Sequence, residues 1–489
     1  MRLKYILSSL SIVLLGFGLM VFLPSFVALY YHDYNSIIPF VSAGLISVLL
    51  SGVFYKCAGG KQNFNDLRKK EGLFIVALAW IVVSLVACIP FLFAGLNPVD
   101  AIFEGIASMT TTGATLDSDI VFSRTLYFWC SFSSWLGGMG VIVLFIAILP
   151  QFAVAGRQMF FAEAPGPSED KITPRIKQTA AGLWGIYFVL TLIEVVVLRL
   201  NGMPLFDSVC NSLSTISAAG FSYNQISEAS VLNPRLLWTG IIFMFLAGMN
   251  FTLLYKLTIQ KHLKALKQST EFITYIYLIL FVSLVTVLTL IFNNGYEVSV
   301  AIRNALYQVI SIITSTGSIL KDFSNWSQST QILIFLLMLI GGSAGSASGG
   351  IKVVRVVIVF KYLWREIVKI LHPNIVTQIK LGKSIVSDEV LRQILAFVIL
   401  YFLILLVSTV LVCAIENNLT IGIMGSTSSL GNVNPVFIYQ GRGTLTDLSP
   451  FTKLIFAFNM LIGRLEIIPF VAMLHGDFWK FNLKRSNNE

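Results

Sequence analysis

Residues 103–115 read FEGIASMTTTGAT, a moderately apolar stretch that ends in a cluster of Thr and Gly. It is too short to cross a bilayer, which takes about 20 apolar residues in a helix. Similar stretches follow as LSTISAAGFS at 213–222, ISIITSTGS at 310–318 and SSLGNVNP at 428–435. Their markers Gly113, Gly220, Gly317 and Asn434 lie about 100 residues apart. This fourfold internal repeat predicts four similar units that can close a ring around one axis.

Long apolar segments surround each of the four clusters. Of the 489 residues, 56% are hydrophobic and 12% are charged, whereas soluble domains carry about 25% charged residues. The composition therefore excludes a soluble globular protein and indicates a polytopic membrane protein. Ten spans are predicted, near residues 5–30, 37–56, 73–95, 125–150, 180–200, 236–257, 272–293, 331–362, 390–414 and 452–473.

The order of spans and clusters predicts an all-α membrane protein. Each repeat is read as an outer helix, a re-entrant pore helix, a filter-like loop and an inner helix, and an extra helix pair precedes the four repeats. The predicted units are the helix pair at 1–60, pore repeats one to three at 61–155, 156–265 and 266–375, and repeat four with a short cytoplasmic tail at 376–489.

The distribution of basic residues predicts the orientation of the chain. Most of the 34 Lys and Arg fall at the amino terminus, in every second loop and in the tail. The positive-inside rule then places both termini in the cytoplasm. The net charge of +10 is spread over these short loops, so no nucleic-acid surface is predicted. The basic segment from Lys352 to Arg392 could equally be a docking face for a partner or plain positive-inside bias.

The clusters carry the residue types that bind a dehydrated cation. Rings of backbone carbonyls can replace the water around such an ion, and Gly tolerates the backbone angles that this needs. A neighbouring Thr or Ser adds a hydroxyl, and the carboxyl end of each pore helix adds partial negative charge. The predicted filter residues are Thr111, Thr112, Gly113, Ala219, Gly220, Thr316, Gly317, Val433 and Asn434.

The fourth repeat departs from the other three. Asn434 stands where they have Gly, and Gly431 would serve only after a shift of the alignment. Asn is the residue after Gly that best tolerates positive φ. We therefore expect Asn434 to preserve the backbone of the fourth loop, with some loss of ring symmetry.

Several residues outside the clusters are candidates for function. Arg464 lies mid-span, where a charge is costly and is a functional candidate by default; snorkelling or a structural pair with Glu466 is the alternative. Gly341–Gly350 is too rich in Gly for a continuous helix and predicts an unwound segment beneath the filter. Glu194 lies within a span and is expected to pair between helices rather than to relay protons. Carboxylates expected near the pore mouth, either solvated or concentrating cations, are Glu104, Asp207 and Asp322.

Other classes of protein fit less well. A membrane enzyme such as a lipid transferase needs clustered His, Asp, Glu or Cys, and the sequence has no such cluster. An ion-coupled carrier would be expected to show two inverted repeats with broken helices in each, but only one span is interrupted in the sequence. The sequence contains no Walker-type phosphate-binding loop, so an ATP-driven pump is not indicated. The five Cys show no disulfide or zinc spacing, and no cofactor is predicted.

Specific motifs resemble the Trk/Ktr/HKT superfamily of potassium transporters, and within it the TrkH-type pore subunits. The resemblance covers nearly the whole chain, and the extra helix pair resembles the Trk branch. It rests on TTTGAT at 110–115 and WLGGMG at 135–140, GFS at 220–222 and AGMNF at 247–251, TG at 316–317 with Asp322, Phe323 and Trp326, GGSAGSASGGI at 341–351 with Lys352, and GRLE at 463–466.

The resemblance implies a potassium pore rather than an enzyme. K⁺ would bind at Thr112, Gly113, Gly220, Thr316, Gly317 and Asn434, and move inward across the inner (plasma) membrane. Gating is implied for Gly345, Gly349, Gly350, Lys352 and the cation barrier Arg464. Implied partners are a cytosolic nucleotide-binding regulatory subunit of TrkA type, a second copy of the chain and membrane lipid. A less selective Na⁺/K⁺ transporter or an ion-coupled K⁺ symporter remains open.

Overall fold

A computed structural model describes most of the chain. The described residues are 2–60, 62, 69–116, 123–147, 172–221, 233–320, 323, 325–375, 377–382, 384–434, 445–465, 467–474, 476 and 479. Asp322 and Glu466 lie outside this set.

Two amino-terminal helical segments form the predicted pair. The first consists of Leu3–Val21 and Leu23–Tyr30, and the second is Ile37–Cys57 after a short turn at Tyr34–Ser36. Small polar side chains let the two backbones approach closely. Ser47 Oγ donates to Leu14 O at 2.8 Å, and Ser51 Oγ donates to Ser11 O at 2.6 Å.

Four long apolar helices stand on the outside of the four repeats and confirm the predicted outer helices. Together with the amino-terminal pair they make six described helices that are long and apolar enough to cross a membrane. Outer helices 1 to 4 are Lys69–Ala87, which continues into Ile89–Phe93, then Ile172–Leu200, Thr270–Asn294 and Asp388–Glu416.

Four shorter helices occupy the predicted pore-helix positions. Pore helix 1 begins at a cap in which Asn97 Oδ1 accepts from Asp100 N–H at 2.9 Å. Pore helices 1 to 4 are Pro98–Met109, Leu205–Ile216, Val298–Ile313 and Ser426–Gly431, the last preceded by a π-helical turn at Ile421–Gly425. Their carboxyl-terminal halves are buried in the centre of the bundle.

The inner helices are less regular than the outer ones. Inner helix 2 bends by 102° at a break between Ala247 and Phe251, so the expectation of a single interrupted span is wrong. The break has a local cause: Asn250 Oδ1 caps the second half by accepting from the N–H groups of Thr252 and Leu253. Inner helices 1 to 4 comprise Arg124–Ala147, Pro234–Ala247 with Phe251–Thr258, Gln328–Met338 with Val353–Leu371, and Pro450–Leu465 followed by Ile467–Leu474.

The break in inner helix 3 is the predicted unwound segment. Its ends are joined by two short parallel strands, Ile340–Gly341 and Ile351–Lys352. The remaining described elements lie at the surface ends of the repeats. They are the helix Lys264–Gln268, the antiparallel strands Lys380–Leu381 and Ser384–Ile385, and a 3₁₀ turn at Leu445–Asp447.

The first and fourth repeats meet and close the ring. Lys453 on inner helix 4 donates to Asp100 Oδ1 on pore helix 1 at 2.7 Å, and the two side chains are 5% and 11% exposed. Removing one partner of so buried a pair leaves an uncompensated charge. The chain therefore folds as one bundle whose first and last repeats are adjacent.

Candidate functional site

All four pore helices end in the same turn. The residue that follows the helix by one or two positions has a left-handed backbone: Thr111 (φ 54°), Ala218 (59°), Ser315 (58°) and Asn432 (50°). Each donates its N–H to the carbonyl three residues earlier, at 3.0–3.4 Å. In repeats one, two and four the next N–H also donates to the carbonyl five residues earlier, at 2.9–3.0 Å. These bonds form a Schellman cap, which turns the chain toward the middle of the bundle.

A second left-handed residue follows two positions later in three of the repeats. Gly113, Gly220 and Gly317 have φ of 71°, 66° and 71°. Asn434, at the matching position of repeat four, is not among the residues with positive φ. The expectation that Asn434 preserves the glycine backbone is wrong, because the left-handed residue in this loop is Asn432. Asn432 occupies the helix cap, where a positive φ is required.

The three glycines lie against the backbone of the next repeat. A Cβ on Gly113 would overlap the carbonyl oxygen of Ala219, and a Cβ on Gly220 would overlap that of Thr316. A Cβ on Gly317 would lie 2.6 Å from the Cβ of Asn434. The four loops are thus arranged in the order one, two, three, four, and backbone oxygens line the approach. Substitution by any larger residue is excluded sterically as well as by φ.

Repeat four joins repeat one through a side chain. Asn432 Nδ2 donates to Thr112 Oγ1 at 3.1 Å and to Met460 O of inner helix 4 at 2.9 Å. Asn432 is fully buried, so both bonds form away from solvent, where they count most. Together with the Asp100–Lys453 pair, they complete the ring of four loops.

The hydroxyls predicted as ligands also brace the loops. Thr112 Oγ1 is 2.9 Å from Thr110 Oγ1, and the equivalent pair Thr316–Thr314 is 2.8 Å apart. A hydroxyl that donates one bond keeps a lone pair for a cation. Val433 O accepts from Ser428 Oγ at 2.6 Å. The structure therefore brings all nine predicted filter residues into one buried region, with Asn434 half-buried at its edge.

Glu104 differs from its predicted place near the pore mouth. Its side chain is fully buried, and Oε1 accepts from Leu116 N–H at 2.6 Å and from Thr115 Oγ1 at 3.1 Å. Gln308 does the same in repeat three, where Oε1 accepts from Leu320 N–H at 3.3 Å. These side chains fix the chain after the filter residues and are not part of a cation-concentrating ring. Asp207, in contrast, is half-buried in the first turn of pore helix 2.

The glycine-rich segment 341–350 packs directly beneath the loops. Gly349 N–H donates to Ser315 Oγ at 2.7 Å, and a Cβ on Gly349 would overlap the carbonyl oxygen of Gly431. Gly345 and Gly350 have positive φ of 73° and 69°. The opposite side of the segment is bound to the break in inner helix 2, through Ser343 N–H to Gly248 O at 3.0 Å and Phe251 N–H to Gly345 O at 3.2 Å.

Two buried basic residues contact this segment. Arg464 is 4% exposed, and its Nη1 donates to Ala347 O at 2.8 Å. Its Nε and Nη2 have no hydrogen-bond partner within the described part of the chain. Lys352 is 5% exposed, and its Nζ donates to Ser348 O. A positive charge therefore lies just below the ring, at Arg464, with most of its donors unused.

Several residues of this site were not among the residues predicted from the sequence. Ala218, Ser315 and Asn432 hold the left-handed caps, and Gln308 braces the third loop. Their positions in the repeats are constant. Each cap residue stands two residues before the marker Gly or Asn of its repeat, and Glu104 and Gln308 stand nine residues before theirs.

A family model for TrkH, described as a cation transport protein, matches residues 44–479. The chain belongs to the TrkH family. Among its relatives, the TrkH potassium uptake protein of Salmonella typhimurium is 33% identical over 482 residues, with 96% of this chain and 97% of that protein covered. The TrkH protein of Halomonas elongata is 32% identical, with 98% of this chain and all of that protein covered.

The fold agrees with that of a solved TrkH. The crystal structure of the potassium transporter TrkH from Vibrio parahaemolyticus matches with a TM-score of 0.90 and 29% identity, covering 98% of this chain and 100% of the other. The all-α polytopic fold predicted from the sequence is thereby confirmed, as is the resemblance on which the TrkH assignment rested. This TrkH-family chain is a multi-pass membrane protein.

Proposed function

We propose that this protein takes up K⁺ across the inner membrane through a channel-like pore, with the nine predicted filter residues as the selective region. The observation that carries the proposal is the ring itself: Gly113 and Gly220 approach the carbonyls of the next repeat so closely that no Cβ fits. This close approach supports an arrangement in which carbonyl oxygens of the four loops surround one axis and replace the hydration shell of K⁺.

The surroundings of the ring support cation passage. Four pore helices direct their carboxyl-terminal ends, with partial negative charge, toward it. Irregular backbone at membrane depth is tolerated where it is buried in protein or lines a water-filled cavity. The named relatives are potassium uptake proteins, which favours K⁺ as the transported ion and a transporter rather than an enzyme.

Flux measurements test this proposal. Purified protein in liposomes should carry K⁺ and Rb⁺ much faster than Na⁺ under matched gradients. Gly220→Val should abolish or scramble selectivity, because Val cannot adopt positive φ and its side chain would overlap Thr316 O. The matched control is Gly185→Ala, at a site with no atom within 4 Å of the added Cβ. Selective K⁺ flux through Gly220→Val would refute the proposed filter.

A second candidate function is a less selective Na⁺/K⁺ pathway. The observation that favours it is the ordinary backbone of Asn434, which leaves one corner of the ring unlike the other three. Equal K⁺ and Na⁺ permeability in the same liposomes would support this reading. An ion-coupled K⁺ symporter would show K⁺ accumulation driven by a second ion gradient.

Gating is proposed for the segment under the ring, with Gly345, Gly349, Gly350 and Lys352 as its mobile part and Arg464 as a cation barrier. The support is the direct contact of Gly349 with Ser315 and of Arg464 with Ala347. Control by a cytosolic nucleotide-binding subunit, assembly as a homodimer, and cytoplasmic placement of both termini complete the proposal. Co-purification of the chain with a TrkA-type subunit tests the first of these.

A further inference from the structure

Glu194 is a buried carboxyl group that the proposed pore does not use. It lies in the last third of outer helix 2, six residues before Leu200, and has no exposed surface. Neither of its oxygens has a hydrogen-bond partner among the described residues, so the predicted pairing between helices is not seen there. Ionisable groups within membrane spans are costly to bury and commonly mark proton or ion sites.

The nearest polar neighbours of Glu194 belong to two different pore helices. Glu194 interacts electrostatically with the Thr215 hydroxyl of pore helix 2 and, more weakly, with Tyr307 of pore helix 3. The Thr215 hydroxyl donates instead to Asn211 Oδ1, at 3.1 Å. The other titratable or charged groups on Glu194's own helix and on the helices packed against it make no bond to Glu194: Tyr187, Arg199, Asp207, Cys210, Tyr127, Cys130, Arg124, Arg235, Tyr255 and Lys256.

A small cavity between repeats two and three is lined by Thr215 and Tyr307, the two neighbours of Glu194, although Glu194 itself does not line it. Its volume is about 60 Å³, which is enough for a few water molecules. Leu198, one helical turn beyond Glu194, lines it together with Met203 and Leu320 from the outer end of the bundle. Its polar lining consists of Asn211, Ser214, Thr215, Tyr307 and Ser318. The Ser214 hydroxyl is buried and has no partner in the described part of the protein.

The cavity lies directly behind the second pore loop. Ala218 N–H donates to Thr215 O at 3.0 Å, and Ala219 N–H donates to Ser214 O at 2.9 Å. Ser214 and Thr215, which line the cavity, therefore hold the helix cap at Ala218. The carbonyl of the next residue, Ala219, faces Gly113. The backbone of Thr215 is thus only four residues from Ala219, whose carbonyl oxygen faces Gly113.

We propose that Glu194 is a proton-binding site that is filled from the outer side through this cavity and sets the geometry of the second pore loop. Water in the cavity delivers the proton, and the carboxylate and proton combine to the neutral acid without any other bond change. The neutral acid is stable where it stands because an unpartnered carboxylate is far more costly to bury. When the proton leaves, the carboxylate needs a hydrogen-bond donor, and the neighbouring Thr215 hydroxyl supplies one. Thr215 then turns from Asn211 and distorts the loop.

Infrared difference spectroscopy tests the binding site without reference to transport. A pH step on the reconstituted protein should change the stretching band of a buried protonated carboxyl, and Glu194→Gln should remove that band. Glu297→Gln, at an exposed carboxyl before pore helix 3, should leave the band in place. Glu104 is a second buried carboxyl, so the comparison is with wild type: a pH-induced difference band of the same size and position in Glu194→Gln would overturn the assignment.

Flux measurements test the coupling and rest on the proposed K⁺ transport. Wild-type flux should fall as the outer pH rises through the range in which Glu194 loses its proton. The expected fall is on the order of tenfold per pH unit for a single proton. Glu194→Gln, which mimics the neutral acid, should keep high flux at every pH, and Glu297→Gln should follow the wild type. A wild type that conducts but shows no pH dependence, or a Glu194→Gln variant that keeps it, would overturn the coupling. Absence of K⁺ flux at every pH would instead refute the proposed function, and the infrared band would still report on the site.

Discussion

The first three pore loops and the fourth share a left-handed helix cap but are held in the ring in different ways. In the first three, a glycine with positive φ lies against the next repeat, and in two of them a Cβ would overlap a carbonyl oxygen. In the fourth, the glycine is replaced by Asn434, and the junction to repeat one is made by the side chain of Asn432.

This difference separates two requirements of the repeated loop motif: a left-handed helix cap, and a glycine two residues after it. The left-handed cap is common to all four loops and is met by Thr111, Ala218, Ser315 and Asn432. The glycine two residues later is needed where the neighbour's backbone comes too close for a Cβ. At the junction between repeats four and one, an amide side chain spans the gap, and glycine is not required there.

The largest effect is expected for Gly113→Ala. The added methyl would overlap Ala219 O and force both loops apart, and the left-handed backbone adds about 1 kcal/mol of strain. Selective K⁺ flux should be lost. The matched variant Gly185→Ala, where the Cβ meets open space, should behave as wild type. Normal selectivity in Gly113→Ala would show that the close approach is not needed for ion discrimination.

Arg464→Ala should have the next largest effect, through the charge that the fourth repeat places beneath the ring. A fixed charge about 4 Å from a cation repels it by about 4 kcal/mol at an effective dielectric of 20. Maximal K⁺ flux should rise several-fold, with little change in the K⁺/Na⁺ ratio. Arg464→Lys, which keeps the charge, should stay near wild type. A fall in flux in folded Arg464→Ala would indicate that the bond to Ala347 O is structural.

Asn432→Ala should have a moderate effect on selectivity. It removes the donors to Thr112 Oγ1 and Met460 O, each worth about 1 kcal/mol, and places Ala in a left-handed cap. The K⁺/Na⁺ permeability ratio should fall several-fold. Asn432→Gly restores the backbone preference but not the donors, so comparing the two variants separates cap from junction. If both match wild type, the junction is held by the Asp100–Lys453 pair alone.

The smallest effect is expected for Asn434→Gly. Because the backbone of Asn434 is not left-handed, glycine relieves no strain there and only adds freedom to the unfolded chain. The K⁺/Na⁺ ratio should change by no more than about twofold. A large rise in the ratio would mean that the side chain of Asn434 itself disturbs the fourth corner, and the contrast between the loops would then lie in that side chain.

The sequence predicted the architecture well because lipid leaves few choices. Long apolar runs must form spanning helices, so the helix pair, the four outer helices and the four re-entrant segments were visible from hydropathy and repetition. The unwound segment at 341–350 was also predicted, from its glycine content.

Contacts between repeats were beyond sequence reasoning. The sequence does not reveal that Asn432, rather than Asn434, has positive φ, because both residues tolerate it. It assigns Glu104 to the pore mouth because a charged residue is expected near water, whereas in the structure its Oε1 accepts from Leu116 N–H and Thr115 Oγ1 inside the bundle. Hydropathy does not predict the bend of inner helix 2 at Gly248, because the apolar residues continue without interruption on both sides of it. The φ of Asn432, the burial of Glu104 and the bend of inner helix 2 each depend on which residues of another segment lie against them. Those contacts are set by the closed ring.

The seam between repeats one and four also has a consequence for biosynthesis. Asp100 and Thr112 wait for partners, Lys453 and Asn432, that leave the ribosome more than 300 residues later. Until then the nascent chain in the membrane has only three of the four repeats. The flank of repeat one that carries the Asp100 carboxylate and Thr112 then faces lipid instead of repeat four. Shielding of that flank by an insertase or chaperone during synthesis would protect the chain, and truncations that end before Asn432 should be degraded even though every earlier helix is intact.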